Sequence, residues 1–252
     1  MSEITQQPFE FNCNSTPLQI YESLQIYNFA KLNGFLKAKS YLLEQLRDAI
    51  EMADFFQLNY KANSKAPSNK DLAIKRFSNL DTSREIPYLR LEDLPFGNIV
   101  VQKLLQQKPF PGLFELHRPK TDIHIHSSIL RPAQSANSQR STDWKWHQDV
   151  KFHKSLYDLS IWIPLVSCGK YAPGLQFVIA PNLKKIQEVD IDSGWYLNSE
   201  LQSNLDRINN RYAPEFSEGD CIIFNTFAIH KTYALPDMKK ERTSIDVRLH
   251  FR

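Results

Sequence analysis

The segment 242–251 alternates between polar and apolar side chains, and it restricts the possible fold more than any other part of the sequence. Successive side chains of a β-strand point to opposite faces, so the segment predicts a strand with one polar and one apolar face. The polar face would carry Arg242, Ser244, Asp246, Arg248 and His250. The apolar face would carry Thr243, Ile245, Val247, Leu249 and Phe251. One side of the strand is therefore suited to packing, and the other is expected to line a wet or charged space.

Further strand candidates begin at about residue 122 and are separated by loops rich in Ser, Asn, Pro and Gly. Together with the closing segment they cover 122–130, 144–150, 159–166, 174–180, 219–226 and 242–251. The clearest helical pattern lies earlier, where apolar residues recur at three- and four-residue spacings over 42–53. A short helix is also indicated around Ser199–Ile208. Helices followed by a run of strands indicate an α+β chain, mainly β, whose C-terminal half is a barrel or a two-sheet jelly roll.

A chain of 252 residues is long enough to bury a large core, and we expect a single domain over 1–252. Its N-terminal helical part would cover about 1–115, and its β-rich core about 116–252. Two long loops, 132–143 and 182–214, are expected to serve as lids or binding loops. Their mixed polarity favours a small polar metabolite as the substrate over a long acyl chain.

Charge and cysteine usage exclude several classes of partner. The 31 Lys and Arg against 28 Asp and Glu give a net charge of +3, too small to indicate nucleic-acid binding. No segment approaches the ~18 apolar residues of a membrane span, and the N-terminus lacks the pattern of a signal peptide. Cys13, Cys168 and Cys221 form no C-x-x-C pair, so neither a disulfide framework nor a thiolate zinc site is indicated. We therefore expect a cytoplasmic protein without membrane or nucleic-acid partners.

A candidate metal site lies in the segment 144–149, Trp-Lys-Trp-His-Gln-Asp. On a strand, His147 and Asp149 would point from the same face and could bind one metal ion together. His230, which follows the apolar run at 221–224, could supply a third ligand. Two histidines and one carboxylate form the facial triad of non-haem Fe(II) oxygenases. An isolated H-x-D triplet is weak support, because two polar residues often lie on a solvated strand face.

An Arg-x-Ser pair, Arg242 and Ser244, follows His230 by twelve residues and strengthens the interpretation. A guanidinium group binds a carboxylate through two parallel hydrogen bonds, and a hydroxyl group two residues along the same strand can donate another. The pair therefore indicates a binding site for a carboxylate.

In these features the chain resembles the phytanoyl-CoA dioxygenase family of Fe(II)- and 2-oxoglutarate-dependent oxygenases. The resemblance covers roughly residues 28–252 and rests on the order and spacing of several short pieces. These are 28–36, 147–149, 159–165, 172–176, 180–181, 218–224, His230 and the arginine strand. The resemblance implies a double-stranded β-helix of the jelly-roll or cupin type, with N-terminal helices packed on the major sheet.

The resemblance also implies roles for individual residues. His147, Asp149 and His230 would bind Fe(II) and form the catalytic centre. Arg242 would hold the distal carboxylate of the cosubstrate 2-oxoglutarate. The residues expected to assist it are Ser244, Thr232 and Trp162. The implied reaction consumes O2, releases succinate and CO2, and hydroxylates or otherwise oxidises a C–H bond of a small-molecule metabolite or natural-product intermediate. The family's Pro-Gly-Ser-His turn is replaced here by Pro-Asn-Leu-Lys at 181–184, so the analogy does not extend to the substrate.

Four further residues are candidates for substrate contacts: His126, His153, Arg248 and Trp195. For each a structural role is the alternative. His124 and His126 would share one strand face, and the role of His124 is left open. Arg248 would either reach an anionic group of the substrate or pair with Asp246 inside the barrel.

Two other functional classes are compatible with parts of the pattern. A catalytically inactive jelly-roll protein could use the same barrel to bind a ligand, although it would not need both the triad and Arg242. A zinc hydrolase could use two histidines and an aspartate, but it would have no use for the Arg-x-Ser strand.

Overall fold

The computed structural model describes residues 7–12, 14–36, 41–45, 48, 89–91, 97–133, 145–151, 158–183, 186 and 196–252. The helices with both ends described are α1 (Pro17–Tyr27), α2 (Gly97–Leu105), α3 (Phe110–His117) and α4 (Ser199–Arg207). Its strands are β1 (Glu10–Phe11), β2 (Phe29–Leu32), β3 (Leu89–Arg90), β4 (Ile123–Ala133), β5 (Leu159–Pro164), β6 (Gly174–Val178), β7 (Arg211–Tyr212), β8 (Cys221–Asn225), β9 (His230–Tyr233) and β10 (Arg242–Phe251).

These strands form a large and a small sheet. The large sheet has seven strands in the order β1-β2-β8-β5-β10-β4-β3, and the small one has three in the order β7-β6-β9. The closing strand β10 is antiparallel to both of its neighbours, β4 and β5. The strand with the polar face therefore lies inside the large sheet, where both of its edges are hydrogen-bonded.

The apolar face of β10 packs against the N-terminal helices. Ile245, Val247 and Leu249 belong to one buried cluster with Leu24 of α1 and Leu113 of α3. Residues of β5 and β8 join the same cluster, so this core lies between the large sheet and the helices. The apolar face of β10 is therefore the packing face that the sequence predicts, and its odd-numbered residues pack against the helices on one side of the sheet.

A second core lies between the two sheets and is rich in aromatic rings. Trp162 of β5, Phe224 of β8 and Phe29 of β2 come from the large sheet, and Phe177 of β6 comes from the small one. The ring of Phe177 lies 4.8 Å from that of Phe29 and 5.6 Å from that of Phe224, measured between centroids. The two sheets therefore face each other, and the polar residues of β10 point into the space between them.

Local signals in the sequence fix both ends of α1. Thr16 caps its N-terminus: its side chain accepts a hydrogen bond from the backbone N–H of Gln19, and Gln19 reaches back to Thr16. Pro17 occupies the first turn, where no hydrogen-bond donor is needed. Asn28 ends the helix in the left-handed conformation at φ 69°. The chain then enters β2 directly at Phe29, which brings N-terminal residues into the large sheet.

Most of the sequence-based elements are confirmed. Strands predicted at 122–130, 159–166, 174–180, 219–226 and 242–251 correspond to β4, β5, β6, β8 and β10, and the helix near 199–208 is α4. Of the helix predicted over 42–53, the described residues 42–45 and 48 are helical, and the others lie outside the described part of the chain. The sequence reasoning missed the strands β1, β2, β3, β7 and β9, so the N-terminal part contributes strands as well as helices.

The strand predicted over 144–150 is wrong. In the described part of that segment, His147 forms isolated bridges to Tyr196 and His230, and Asp149–Lys151 is a turn of 3-10 helix. The backbone between two candidate ligands therefore turns where an extended strand was expected. No helix in the described ranges is long and apolar enough to cross a membrane.

Candidate metal centre

The side chains of His147, Asp149 and His230 converge on one buried point. One ligand atom from each lies within 4.8 Å of the other two. Oδ1 of Asp149 is 3.7 Å from Nε2 of His147 and 4.0 Å from Nε2 of His230. All three residues are buried, and Asp149 is only 2% exposed. Two imidazole nitrogens and one carboxylate oxygen thus face a common centre.

The backbone sets the distance between the two histidines. His147 N–H donates to the carbonyl of His230 at 3.1 Å, and His230 N–H donates to the carbonyl of His147 at 3.0 Å. Such a reciprocal pair places two residues directly opposite each other. The imidazole rings consequently lie 4.3 Å apart between centroids. Asp149 joins them because the chain turns into 3-10 helix immediately after this bridge.

Both imidazoles have their second nitrogen held by a backbone carbonyl. Nδ1 of His147 lies 2.9 Å from the carbonyl oxygen of Lys145, and Nδ1 of His230 lies 3.1 Å from that of Ala228. A carbonyl oxygen only accepts, so each Nδ1 carries the proton, and in a neutral ring Nε2 keeps its lone pair. Metal-binding histidines in proteins are oriented in this way. The donor set therefore fits a divalent transition metal.

The second carboxylate oxygen of Asp149 has different surroundings. Ser160 Oγ donates to Oδ2 over 3.4 Å, and Nη2 of Arg248 lies 3.5 Å from the same oxygen. Nη2 of Arg248 also lies 3.7 Å from Oδ2 of Asp246, and Arg248 is buried. Arg248 thus contacts Asp246, which is one of the two roles that the sequence suggested for it. It also contacts Asp149. The contact of Ser160 with Asp149 was missed, because a serine in an apolar strand carries no sequence signal of that kind.

Arg242 lies at the other end of the polar face of β10. Its guanidinium carbon is 5.2 Å from the centre of the Trp162 ring, and its Nη1 donates to the carbonyl of Gly174 at 3.1 Å. Ser244 is fully buried on the same face. Thr232 is paired with Leu175 across the small sheet, one residue from Gly174. The structure therefore brings Arg242 and Trp162 into contact and places Thr232 close to the strand that Arg242 reaches.

Burial also affects Cys168, whose thiol lies near Arg242. Desolvation raises the pKa of Cys168 to about 12, and the positive charge of Arg242 opposes this only in part. The thiol is consequently neutral at ordinary pH, so Cys168 behaves as a small apolar residue beside Trp162.

Helix α4 holds the segment that carries His147. Gln202 accepts a hydrogen bond from Trp146 N–H at 2.8 Å and donates to the Trp146 carbonyl at 2.8 Å. Asp206 accepts from the Trp146 indole at 2.8 Å and from Lys231 at 2.7 Å. Burial alone would raise the pKa of Asp206, but these hydrogen bonds and the charge of Lys231 outweigh it and lower the pKa. Asp206 thereby links Trp146, which precedes His147, to Lys231, which follows His230.

The candidate substrate residues divide into two groups. His153 and Trp195 lie outside the described residues. His126 is exposed on β4, and its ring lies 4.3 Å from that of His250. His250 is buried, and its Nδ1 lies 2.5 Å from Oδ2 of Asp158. His124, paired with His250 across β4 and β10, is exposed.

Comparison with known proteins shows similarity in structure. No protein-family model and no curated protein matches the chain. One similar solved structure is the epimerase SnoN in complex with Fe3+, alpha ketoglutarate and nogalamycin RO. It has a TM-score of 0.58 and 14% identity, over 92% of this chain and 82% of that one. Another is EctD from S. alaskensis with 2-oxoglutarate and 5-hydroxyectoine, with a TM-score of 0.59 and 13% identity over 94% of this chain and 77% of that one. The chain shares the fold of these proteins.

Proposed function

We propose that the protein is an Fe(II)- and 2-oxoglutarate-dependent dioxygenase with the double-stranded β-helix of the phytanoyl-CoA dioxygenase type. The observation that carries this proposal is the buried convergence of His147, Asp149 and His230, with both Nε2 atoms directed towards one carboxylate oxygen. Two histidines and one carboxylate on one side of a metal are characteristic of non-haem Fe(II) oxygenases. The chain shares its fold with SnoN and EctD, and structures of both contain 2-oxoglutarate, which is also called alpha ketoglutarate. This similarity supports the same conclusion.

Iron bound at this centre would supply the oxidising chemistry: O2 and 2-oxoglutarate are consumed, succinate and CO2 are released, and one oxygen atom enters the substrate C–H bond. The protein's residues bind and orient the reactants. His147, Asp149 and His230 would hold the metal, and a centre with these three ligands would have positions left for 2-oxoglutarate and O2. Their burial limits the access of water to the centre.

Arg242 is the proposed partner of the distal carboxylate of 2-oxoglutarate. It is a buried cation on the inner face of β10, held over Trp162 and anchored to the Gly174 carbonyl. Its planar fork matches a carboxylate, and charge-assisted hydrogen bonds are stronger than neutral ones. Ser244 and Thr232 are proposed to add hydroxyl donors from the neighbouring positions.

The proposed substrate is a small molecule. The SnoN and EctD structures contain nogalamycin RO and 5-hydroxyectoine, respectively, which are small organic compounds. For this chain the same size class agrees with the mixed polarity of the loops 132–143 and 182–214. The exposed His126 remains a candidate contact, as do His153 and Trp195.

Succinate release tests the proposal. Purified protein is incubated with Fe(II), 2-oxoglutarate and O2, with and without a panel of small metabolites, and succinate and CO2 are quantified. We expect His147→Ala and Asp149→Ala to abolish turnover, because loss of a ligand is more severe than the 10–100-fold effect of changing a residue around one. Asp237→Ala, an exposed carboxylate between β9 and β10, serves as the matched control and should retain activity.

Two results would contradict the proposal. Wild-type succinate production by His147→Ala would remove the triad from the reaction. A wild-type protein that binds metal at these residues but produces no succinate under any condition would instead indicate a ligand-binding protein or a zinc hydrolase.

A further inference from the structure

The two oxygens of the Asp149 carboxylate are in different environments. Oδ1 faces the Nε2 atoms of His147 and His230 at 3.7 and 4.0 Å. Oδ2 faces Nη2 of Arg248 at 3.5 Å and Oγ of Ser160 at 3.4 Å. We propose that Arg248, assisted by Ser160, is a positioning residue that makes Asp149 bind the metal through Oδ1 alone. This inference rests on the proposed function, because it concerns the same metal centre.

The sheet builds this contact with a cross-strand pair. Arg248 of β10 is directly opposite Ser160 of β5, so both side chains project from the same face of the large sheet. Asp149 lies outside the sheet, at the first residue of a 3-10 turn. A ligand on an irregular segment is therefore tethered to two rigid strands, which fixes the direction of its carboxylate.

Charge keeps Arg248 in this position. Its Nη2 lies 3.5 Å from Asp149 and 3.7 Å from Asp246, and all three residues are at most 6% exposed. A buried cation is costly unless it is paired, and the planar guanidinium can donate to two carboxylates at once. With its charge balanced by Asp149 and Asp246, Arg248 is better suited to holding a ligand than to binding an anionic substrate.

Binding through one oxygen matters for the chemistry. Two imidazoles and a single carboxylate oxygen leave three positions on a six-coordinate metal. The 2-oxo acid end of 2-oxoglutarate needs two of these positions, and O2 needs the third. If Oδ2 also bound the metal, one of these reactants would have no place. Arg248 and Ser160 occupy Oδ2 and so preserve the third position.

Cobalt titration tests this without any turnover. Co2+ is added to metal-free wild-type, Arg248→Met and Arg248→Lys proteins in the absence of 2-oxoglutarate, and affinity and the visible absorption of bound Co2+ are recorded. Substitution of a residue that orients a metal ligand typically lowers metal affinity 10–100-fold. Arg248→Met should therefore bind Co2+ more weakly by that factor. Its spectrum should also change, because absorption by Co2+ depends on its coordination number. Arg248→Lys should be intermediate, since it keeps the charge and loses the planar fork.

Arg242→Met is the matched control, because it removes the same kind of side chain from the same face of β10. We expect it to bind Co2+ with wild-type affinity and spectrum and to lose affinity for 2-oxoglutarate. A purely structural role of Arg248 would lower its variants' thermal stability without altering the spectrum of bound Co2+.

The outcomes separate the two proposals. Wild-type Co2+ affinity and spectrum in Arg248→Met, together with weak binding by His147→Ala, would overturn the positioning role and leave the metal centre intact. Equal Co2+ affinity in wild-type and His147→Ala proteins would instead overturn the proposed function. If Arg248→Met does not fold, Ser160→Ala decides the question: a weaker affinity with an altered spectrum supports the proposal, and wild-type binding contradicts it.

Discussion

Each candidate histidine ligand is oriented by a carbonyl two residues before it in the chain. Nδ1 of His147 faces the carbonyl of Lys145, and Nδ1 of His230 faces that of Ala228. Because both contacts are local, the backbone turn beside each residue favours the tautomer that leaves Nε2 able to bind a metal. The reciprocal backbone pair between the two histidines then sets their separation. Ligand orientation and ligand spacing therefore have separate structural causes.

At Arg242 we expect substitution to affect binding of 2-oxoglutarate. A hydrogen bond to a charged group contributes about 1.5–3 kcal/mol, so Arg242→Ala should weaken binding about ten- to a hundredfold at saturating metal. Arg242→Lys should restore only part of this, because a point charge does not reproduce the two-pronged contact. Titration of 2-oxoglutarate by calorimetry measures both. Wild-type affinity for 2-oxoglutarate in Arg242→Ala at saturating metal would contradict the assignment of Arg242 as the partner of the distal carboxylate.

The structure brings together His147, Asp149 and His230, which the sequence reasoning had selected from their residue types and their order along the chain. Sequence reasoning could not assign the partners of Asp149. Ser160 and Arg248 are opposite each other only through the register of β5 and β10, which depends on the whole sheet. The alternation along β10 did show which side chains share a face, and those of Arg242 and Arg248 are indeed buried on one side.

At the scale of elements, α4 holds in place the segment 145–149, which carries His147 and Asp149; α4 and its contacts with this segment are called the clamp below. Its partly buried Leu201 and Leu205 pack on a small cluster that contains Trp146 and Ile229. Its polar residues Gln202 and Asp206 bind the backbone and the indole of Trp146. Helix α4 thus acts on Trp146, which precedes His147, and on Ile229 and Lys231, which flank His230.

We expect Gln202→Ala to destabilise this arrangement. The substitution removes the side-chain partner of the Trp146 N–H, whereas the Trp146 carbonyl still accepts from the backbone N–H of Leu197. A buried polar group left without a partner costs about 1–3 kcal/mol. For a chain of this size, 1 kcal/mol corresponds to about 2–4 °C in Tm. Thermal unfolding should show a decrease of several degrees, with weaker metal binding. Asn204→Ala, an exposed position on the same helix, is the control. No change in either quantity would show that α4 does not hold the ligand segment.

Asp206 should make the stability of the clamp depend on pH. Its pKa in the folded protein is lowered, so its contribution is present above its unfolded value of roughly 4 and is lost as the pH falls through the folded pKa. The side chain is half exposed, and such pairs contribute about 0.2–1 kcal/mol. The Tm of the wild type should therefore exceed that of Asp206→Asn by a small margin at neutral pH. The margin should disappear in acid; a constant difference between pH 3 and pH 7 would contradict this account.

The segment 144–150 shows how an element can be assigned incorrectly although its side chains converge as expected. Its alternation of Trp, Lys and His is compatible with a strand, yet in the described residues of this segment only His147 forms bridges. The Trp146 N–H donates to the side chain of Gln202, where a neighbouring strand would otherwise accept it. Pairing with a distant helix is not visible in local periodicity. The strands β1 and β7 were missed for a related reason, since each has two residues and offers no pattern to read.

At the scale of the whole molecule, N-terminal residues belong to both cores. Phe29 of β2 is fully buried between the sheets, where its ring lies 5.0 Å from Phe9 and 4.8 Å from Phe177. The next residue, Ala30, faces the helices in the other core. β2 is antiparallel to β8, the strand that leads towards His230. The N-terminal part and the β-rich part are therefore expected to unfold together, as the prediction of a single domain over 1–252 requires.

Substitution of Phe29 tests this expectation. Replacing a buried Phe by Ala typically costs about 3–5 kcal/mol, because transfer energy is lost and a cavity remains. At about 2–4 °C per kcal/mol the Tm of Phe29→Ala should fall by roughly 6–20 °C. Ile26→Ala, at a position 43% exposed on the adjoining α1, should change the Tm little.

The decrease in Tm caused by Phe29→Ala should be the same when unfolding of the metal-free protein is followed by far-UV circular dichroism, which reports on all elements, and by fluorescence of tryptophans such as Trp162. Because Phe29 and Trp162 share the core between the sheets, one transition must move both signals if the chain is one cooperative unit. Two separate transitions, with Phe29→Ala shifting only one of them, would show that the N-terminal residues fold apart from the sheet that carries the metal centre.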